Sequence, residues 1–179
     1  MRADARRNRE RVLSAAIEAF AAEGLSVPVH EIARRAGVGT GTVSRHFPTK
    51  EALYDAIILH RVEHLIGRAR ELAASAEPGA AFWDFFAFMV DKGALDHGLA
   101  EALAGSGYDV EAAAERTGHD VMGAMRDLLT AAQRAGEVRQ DVDVADVKAL
   151  ITACLARMRN GSGDDGRRIM TIIRAGLRP

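Results

Sequence analysis

Apolar residues near the start of the chain fall at Val12, Leu13, Ala16, Ile17 and Phe20. That i, i+4, i+8 spacing is the stripe of an amphipathic helix, predicted from Asp4 to about Glu23. Gly24 suits its left-handed C-terminal cap. Pro28 then opens a short helix over Val29–Ala36, with Ile32, Ala33 and Ala36 on its inner face. Gly37-Val38-Gly39 breaks it, and a third short helix follows from Thr40 to about His46, anchored by Val43 and Phe47 and stopped by Pro48. Thr49 is a natural N-cap for a long fourth helix whose buried face is Leu53, Ile57, Leu65, Ala69 and Leu72 and which ends near Ser75. Beyond Pro78-Gly79, the segment from Ala80 to Asp91 is apolar nearly all round, as in a helix that is enclosed by others or faces a cavity. Gly93 to Gly107 reads as a glycine-broken stretch with one short helix near Leu99–Leu103. One long helix is predicted from about Val110 to Ala135, with Gly136 as its stop. Another runs from Val144 to about Met158. The polar loop Asn160–Asp165 leads into the last, Gly166–Gly176. No segment alternates like a strand, so the pattern predicts an all-α fold of about nine helices.

Composition narrows the class. Hydrophobic residues make up 48% and charged residues 27% of 179, an ordinary globular balance. The first residues are basic and not apolar, and no apolar run approaches the ~20 residues of a membrane span, so neither a signal peptide nor a membrane segment is expected. A cytoplasmic chain follows. The single cysteine, Cys154, leaves no disulfide framework and no multi-cysteine zinc site, and in an apolar stripe it reads as an inert core residue. The net charge of −1 hides an asymmetry. Residues 1–50 carry nine Lys/Arg against five Asp/Glu, or +4; the remainder carries fifteen against twenty, or −5. A basic head on an acidic body fits an end that meets a polyanion, although charge alone is equally consistent with chance segregation.

Two short helices separated by a three-residue, two-glycine turn form a helix-turn-helix, whose second helix must present its N-terminal residues to the major groove. The run from His30 to Leu53, with Ala36-Gly37-Val38-Gly39, Val43, Phe47-Pro48 and Lys50-Glu51-Ala52-Leu53, resembles the signature of the TetR/AcrR family of transcriptional regulators. So does the preceding helix, Ala15–Gly24. The match is close over residues 9–58. Beyond it the chain matches in helix pattern, in the turn Gly136–Asp141 and in its Gly-Leu-Arg-Pro ending.

The resemblance implies a helix-turn-helix DNA-binding domain over residues 1–48. A long helix joins it to a helical ligand-binding and dimerisation domain over residues 49–179. It implies that Thr40, Gly41 and Arg45 lie nearest base edges and that His30 reaches in from the preceding helix. Thr42, Ser44, His46 and Lys50 would hold phosphates, Lys50 from the start of the fourth helix, whose N-terminus itself attracts anions. The family usually carries Tyr where this chain has Ser44, and a Ser or Thr cap where it has Pro28. Plainer readings stand beside these. Arg34 and Arg35 fit a solvated helix face, and His46 can pack beside Phe47. Arg6, Arg7 and Arg9 can touch phosphate or the minor groove in the bound state.

One helix-turn-helix covers about half a site, so a two-fold dimer on a palindromic operator is expected, with half-sites ~34–36 Å apart. Ala149, Ala153 and Ala156 form a small-residue stripe beside the larger apolar face of residues 144–158. With Ile169 and Ile173 of the last helix they suit a mating surface, or else a purely internal helix. The resemblance implies a four-helix bundle made from both copies. An effector pocket is argued from the ring-rich segment Phe82–Val90, which exceeds what one helix face can bury. Phe82, Phe85, Phe86, Met89, Leu103, Tyr108, Met122 and Met125 are its candidate walls, and a filled aromatic core is the competing reading. His64 and His119 are further polar candidates.

An enzyme is disfavoured: no nucleophile–base set, phosphate loop or metal-ligand spacing is present, and His30, His46, His60, His64, His97 and His119 are scattered. His60 and His64 alone share metal-like i, i+4 spacing, but Arg61 and Glu63 between them suit a polar face. No cofactor is expected. A structural helical module would explain the aromatic segment but not the helix-turn-helix. The expected mechanism is repression by occupancy, relieved when a small apolar or aromatic effector shifts the fourth helix. Activation in place of repression stays open at this point.

Overall fold

The apolar stripes fold into nine helices among the described residues: α1 (Arg2–Glu23), α2 (Val29–Ala36), α3 (Thr40–His46), α4 (Lys50–Ser75), α5 (Pro78–Gly105), α6 (Val110–Arg116), α7 (Val121–Arg134), α8 (Val144–Asn160) and α9 (Gly163–Gly176). The computed structural model describes residues 2–160 and 163–179, with the side chains of all of these except 2, 3, 5, 6, 94–98, 159, 160 and 163–167. The expectation for Arg6 and the place of His97 lie outside the described side chains. Two compact units form, Met1–Val62 with Asp96–Gly118 and Glu63–Leu95 with His119–Pro179.

In the first unit α1, α2 and α3 pack on one another. Val12, Leu13, Phe20, Ile32, Val43 and Ile57 are fully buried there, which is the face the periodicity predicts. Gly37 at φ 63° is the left-handed cap of α2, and Val38 N–H closes the turn on the Ala33 carbonyl at 3.0 Å. Charges fasten α2 from outside. The Arg34 guanidinium donates to Glu31 at 2.6 and 2.7 Å, and Arg35 reaches Glu31 at 2.8 Å and Glu23 of α1 at 2.5 Å. Hydrogen bonds from Arg34 and Arg35 hold the Glu31 carboxyl at about 2, far below its ordinary 4.5.

The second unit has its own core, with Phe82, Phe85, Phe86, Met125, Val138, Val147 and Cys154 fully enclosed or nearly so. Its rings meet edge to face or tilted: Phe82 to Trp83 at 4.9 Å and Trp83 to Phe86 at 5.8 Å, with Arg174 over Trp83 at 5.6 Å. α8 packs against α7 and α9. The Gly136–Asp141 turn is tied to the chain end where Arg139 N–H donates to the Leu177 carbonyl at 3.0 Å.

Three expectations are corrected. The stretch from Gly93 to Gly107 is not broken, because α5 runs unbroken from Pro78 to Gly105. No proline interrupts it, and a helical glycine costs only about 1 kcal/mol, which packing offsets. Gly93 serves close approach instead: a Cβ there would lie 2.9 Å from both methyls of Leu155. The single helix expected over 110–135 is two helices. Gly118 turns the chain at φ 70°, and the Asp120 carboxylate caps α7 by accepting from Gly123 N–H at 2.6 Å. The loop expected over 160–165 is shorter, since α8 extends to Asn160 and α9 starts at Gly163.

Two outcomes follow from this packing. Phe82→Ala should cost about 3–5 kcal/mol in urea unfolding, as loss of an enclosed ring does. Glu31→Gln should be less stable than the parent near neutral pH. A depressed carboxyl contributes stability above its unfolded value and loses it on protonation, so the difference should shrink as pH falls from 4.5 towards about 2. Unfolding series across that range, on parent and variant, check the sign.

Candidate nucleic-acid interface

α3 is seven residues long, and only Val43 within it is buried. Phe47 just beyond it is also buried. These two anchors, one turn apart, roll the remaining residues outward. Thr40, Gly41, Ser44, Arg45 and His46 are exposed, Thr42 is half-buried, and His30 of α2 is exposed. The helix starts on the extended backbone of Gly39, whose carbonyl accepts from Thr42 N–H at 2.9 Å, and stops where Phe47 N–H reaches the Val43 carbonyl at 2.8 Å. Thr49 Oγ1 caps α4 by accepting from Ala52 N–H at 3.1 Å. The fold thus brings the eight residues expected to contact DNA onto α3 and its two flanking helices.

The cations on this unit separate into two groups. Arg34 and Arg35 are held in ion pairs by Glu31 and Glu23 on an exposed helix face. Arg11 donates to the Gly37 carbonyl at 3.3 Å, and Arg9 lies over the Phe47 ring at 5.8 Å. Arg7 pairs with Asp4. Arg45, by contrast, has no hydrogen-bond or ion-pair partner among the described residues. His46 stands beside Phe47, ring centroids 6.1 Å apart. Lys50 donates to the Leu25 carbonyl at 3.1 Å, a bond between α4 and the α1–α2 loop that sequence spacing does not reveal.

The residues expected to wall an effector pocket divide between the units. Leu103 and Tyr108 belong to the first, and Phe82, Phe85, Phe86, Met89, Met122 and Met125 to the second. Phe82, Phe85, Phe86 and Met125 are fully buried; Met89 and Met122 are half-buried against the same core. A pocket of about 190 Å³ on the second unit, half open to solvent, has other walls: Ala69, Arg70, Ala73, Ala76, Pro78, Ala81, Ala124, Asp127, Leu128 and Ala131. None of the eight expected pocket residues lines it. Small alanine side chains leave that space, and no count of rings in the sequence would point there.

On α8, Ala149 and Ala153 are exposed and Ala156 half-buried. Ile169 is half-buried, while Ile173 turns into the protomer's own core. Its neighbour Ile172 is 61% exposed, the one large hydrophobic side chain so placed among the described residues. His64 lies beside Phe88, centroids 5.4 Å apart. The described residues contain no cluster of three or more His, Cys, Asp or Glu able to hold a metal, and no helix long and apolar enough to cross a membrane.

Comparison with known proteins bears on both parts of the chain. Residues 12–57 match the family model for bacterial regulatory proteins of the tetR family, and residues 77–179 match that for the C-terminal domain of SbtR-like transcriptional regulators. The transcriptional regulator UidR of Escherichia coli K12 is 39% identical over 72 residues, 40% of this chain and 37% of its own. The chain thus aligns with just over a third of that relative's length. A TetR transcription regulatory protein from Mycobacterium vanbaalenii has a crystal structure that is 49% identical and superposes over 99% of both chains with a TM-score of 0.85. A TetR regulator from Streptomyces coelicolor is 32% identical over 96% of this chain and 98% of its own, with a TM-score of 0.79. An exposed seven-residue helix following two others with which it packs, an all-helical set of described residues and these matches together make the chain a member of the TetR family of transcriptional regulators.

Proposed function

We propose that the protein is a repressor that holds a palindromic operator as a homodimer and leaves it when a small apolar or aromatic effector binds the second unit. The observation that carries the DNA-reading part is Arg45. It is exposed on α3 and has no partner among the described residues, while Arg34 and Arg35 nearby are held in ion pairs. An exposed guanidinium without an internal partner suits bidentate contact with a guanine edge. Thr40, Gly41 and His30 share that role, and Thr42, Ser44, His46 and Lys50 take phosphates. Residues 1–48 act as the reading domain and residues 49–179 as the sensing and mating domain. The site of action is the cytoplasm, and no chemical transformation is part of the function.

The mating surface is proposed on α8 and α9, from Ala149, Ala153, Ala156 and Ile169, with Ile172 added and Ile173 left to the protomer's core. Exposed alanines permit close approach of a partner helix, and an exposed isoleucine beside them favours burial. An apolar or aromatic effector is supported by a half-open, alanine-rich pocket of about 190 Å³ beside a ring-rich core. Phe82, Phe85, Phe86, Met89, Met122 and Met125 are the proposed surroundings of the bound molecule, reached by repacking from that space.

The two kinds of DNA contact should separate in titrations against a duplex selected by the parent protein from a random library. Lys50→Ala should weaken binding to every sequence and lower the salt slope by about 1. Arg45→Ala should relax preference at particular base pairs by about 1–3 kcal/mol. Equal, sequence-independent losses would remove Arg45 from base reading. Ala153→Arg should shift sedimentation towards monomer, and an unchanged dimer would move the interface elsewhere.

A further inference from the structure

The first compact unit contains more than the helix-turn-helix and its support. Residues 96–118 lie in it, with Leu99, Leu103 and Ala113 buried. Their turn is well fastened: the Leu103 carbonyl accepts from Tyr108 N–H at 3.1 Å and from Ser106 Oγ at 2.6 Å, and Asp109 caps α6 through Ala112 N–H at 2.9 Å. From this turn and from α6, two side chains converge on one carboxylate of α4. Asp55 Oδ1 accepts the Tyr108 hydroxyl at 2.5 Å and an Arg116 guanidinium N–H at 2.8 Å. The Tyr108 ring stands edge-on to Tyr54 at 5.4 Å, and Tyr54 stands edge-on to Phe20 of α1 at 5.8 Å. A continuous path of rings therefore runs from α1 through α4 to the α5–α6 turn.

We infer that Tyr108 and Arg116, 53 and 61 residues beyond Asp55, are positioning residues for DNA reading. They act through Asp55, which lies on α4 five positions after Lys50, to set the direction of the α4 segment that carries Lys50 and follows α3. This rests on the proposal that α3 reads DNA. Asp55 and Arg116 are both more than half exposed, so their pair adds little to stability, and its effect is on placement. The hydrogen bond from Tyr108 and the bond to Arg116 lower the Asp55 carboxyl, while burial and the Asp55 carboxylate raise the Tyr108 hydroxyl. The cluster therefore keeps a carboxylate and a neutral phenol across neutral pH. Tyr108 serves the reading unit and not an effector pocket.

The test uses the whole 179-residue chain and the duplex that the parent selects from a random library. Affinity, its salt slope and the melting temperature are measured for the parent, Tyr108→Phe, Arg116→Ala, and the exchange Asp55→Arg with Arg116→Asp. Each single variant should bind the selected duplex roughly fivefold to tenfold more weakly, at the low end of ordinary coupling effects, with salt slope and melting temperature unchanged. The exchange should recover the part of the loss that Arg116→Ala shows and not the part that Tyr108→Phe shows, because Asp55→Arg leaves no carboxylate on α4 to accept from the Tyr108 hydroxyl. Single variants that bind as the parent does overturn the inference, as does an exchange that recovers nothing. Losses that follow a lowered melting temperature overturn it by making the cluster merely structural, and a salt slope lowered by about 1 in Arg116→Ala makes Arg116 a phosphate contact instead. A parent that selects no sequence removes DNA reading itself, and this inference with it.

Discussion

A seven-residue helix has no stability of its own in water, because the nucleation cost of its first turn is not recovered over so few hydrogen bonds. α3 exists because Val43 and Phe47 are pinned into the core of α1 and α2, and because Gly37 turns the chain tightly enough to bring it there. Every other feature of the reading surface depends on that pinning. It decides which side chains face outward, and it holds them on a rigid support. It also leaves α3 almost no redundancy, so the surroundings of Phe47, Thr49 and Lys50 bear directly on how the helix is presented.

Charge is distributed to the same end. Three acidic side chains of the first unit pair with its arginines: Glu31 and Glu23 with Arg34 and Arg35, and Asp4 with Arg7. Arg45 is left without such a partner among the described residues. In the proposed role of Arg45 as a base reader, an internal ion pair would have to be broken before contact with DNA, so an unpaired side chain suits it. Lys50 is an intermediate case. Its bond to the Leu25 carbonyl orders the side chain without neutralising it.

The head was legible in the sequence because proline and glycine punctuate it: Gly24, Pro28, Gly37 and Pro48 each mark an end that the chain obeys. The body was less so, and the reasons are physical. Gly93 looks like a breaker, but its missing side chain makes room for Leu155 within an unbroken helix. Gly118 and Asp120 did carry a stop and a cap, a signal masked by the apolar register continuing on both sides. The phase of α9 could not be set without neighbours, so Ile173 was expected outward where Ile172 is. A cavity is a property of what fails to fill space, and alanines do not announce one. Tyr108 reaching Asp55 is a contact across 53 residues that no local pattern encodes.

The central claim, that two copies of α3 read major grooves on one face of a duplex, is tested most directly by methylation interference on the selected duplex. Dimethyl sulfate marks guanine N7 in the major groove and adenine N3 in the minor groove. The account predicts that interfering guanines fall in two symmetry-related clusters, separated by ~34–36 Å or a multiple of it along the helix axis. A single cluster, or interference confined to adenine N3, would contradict it.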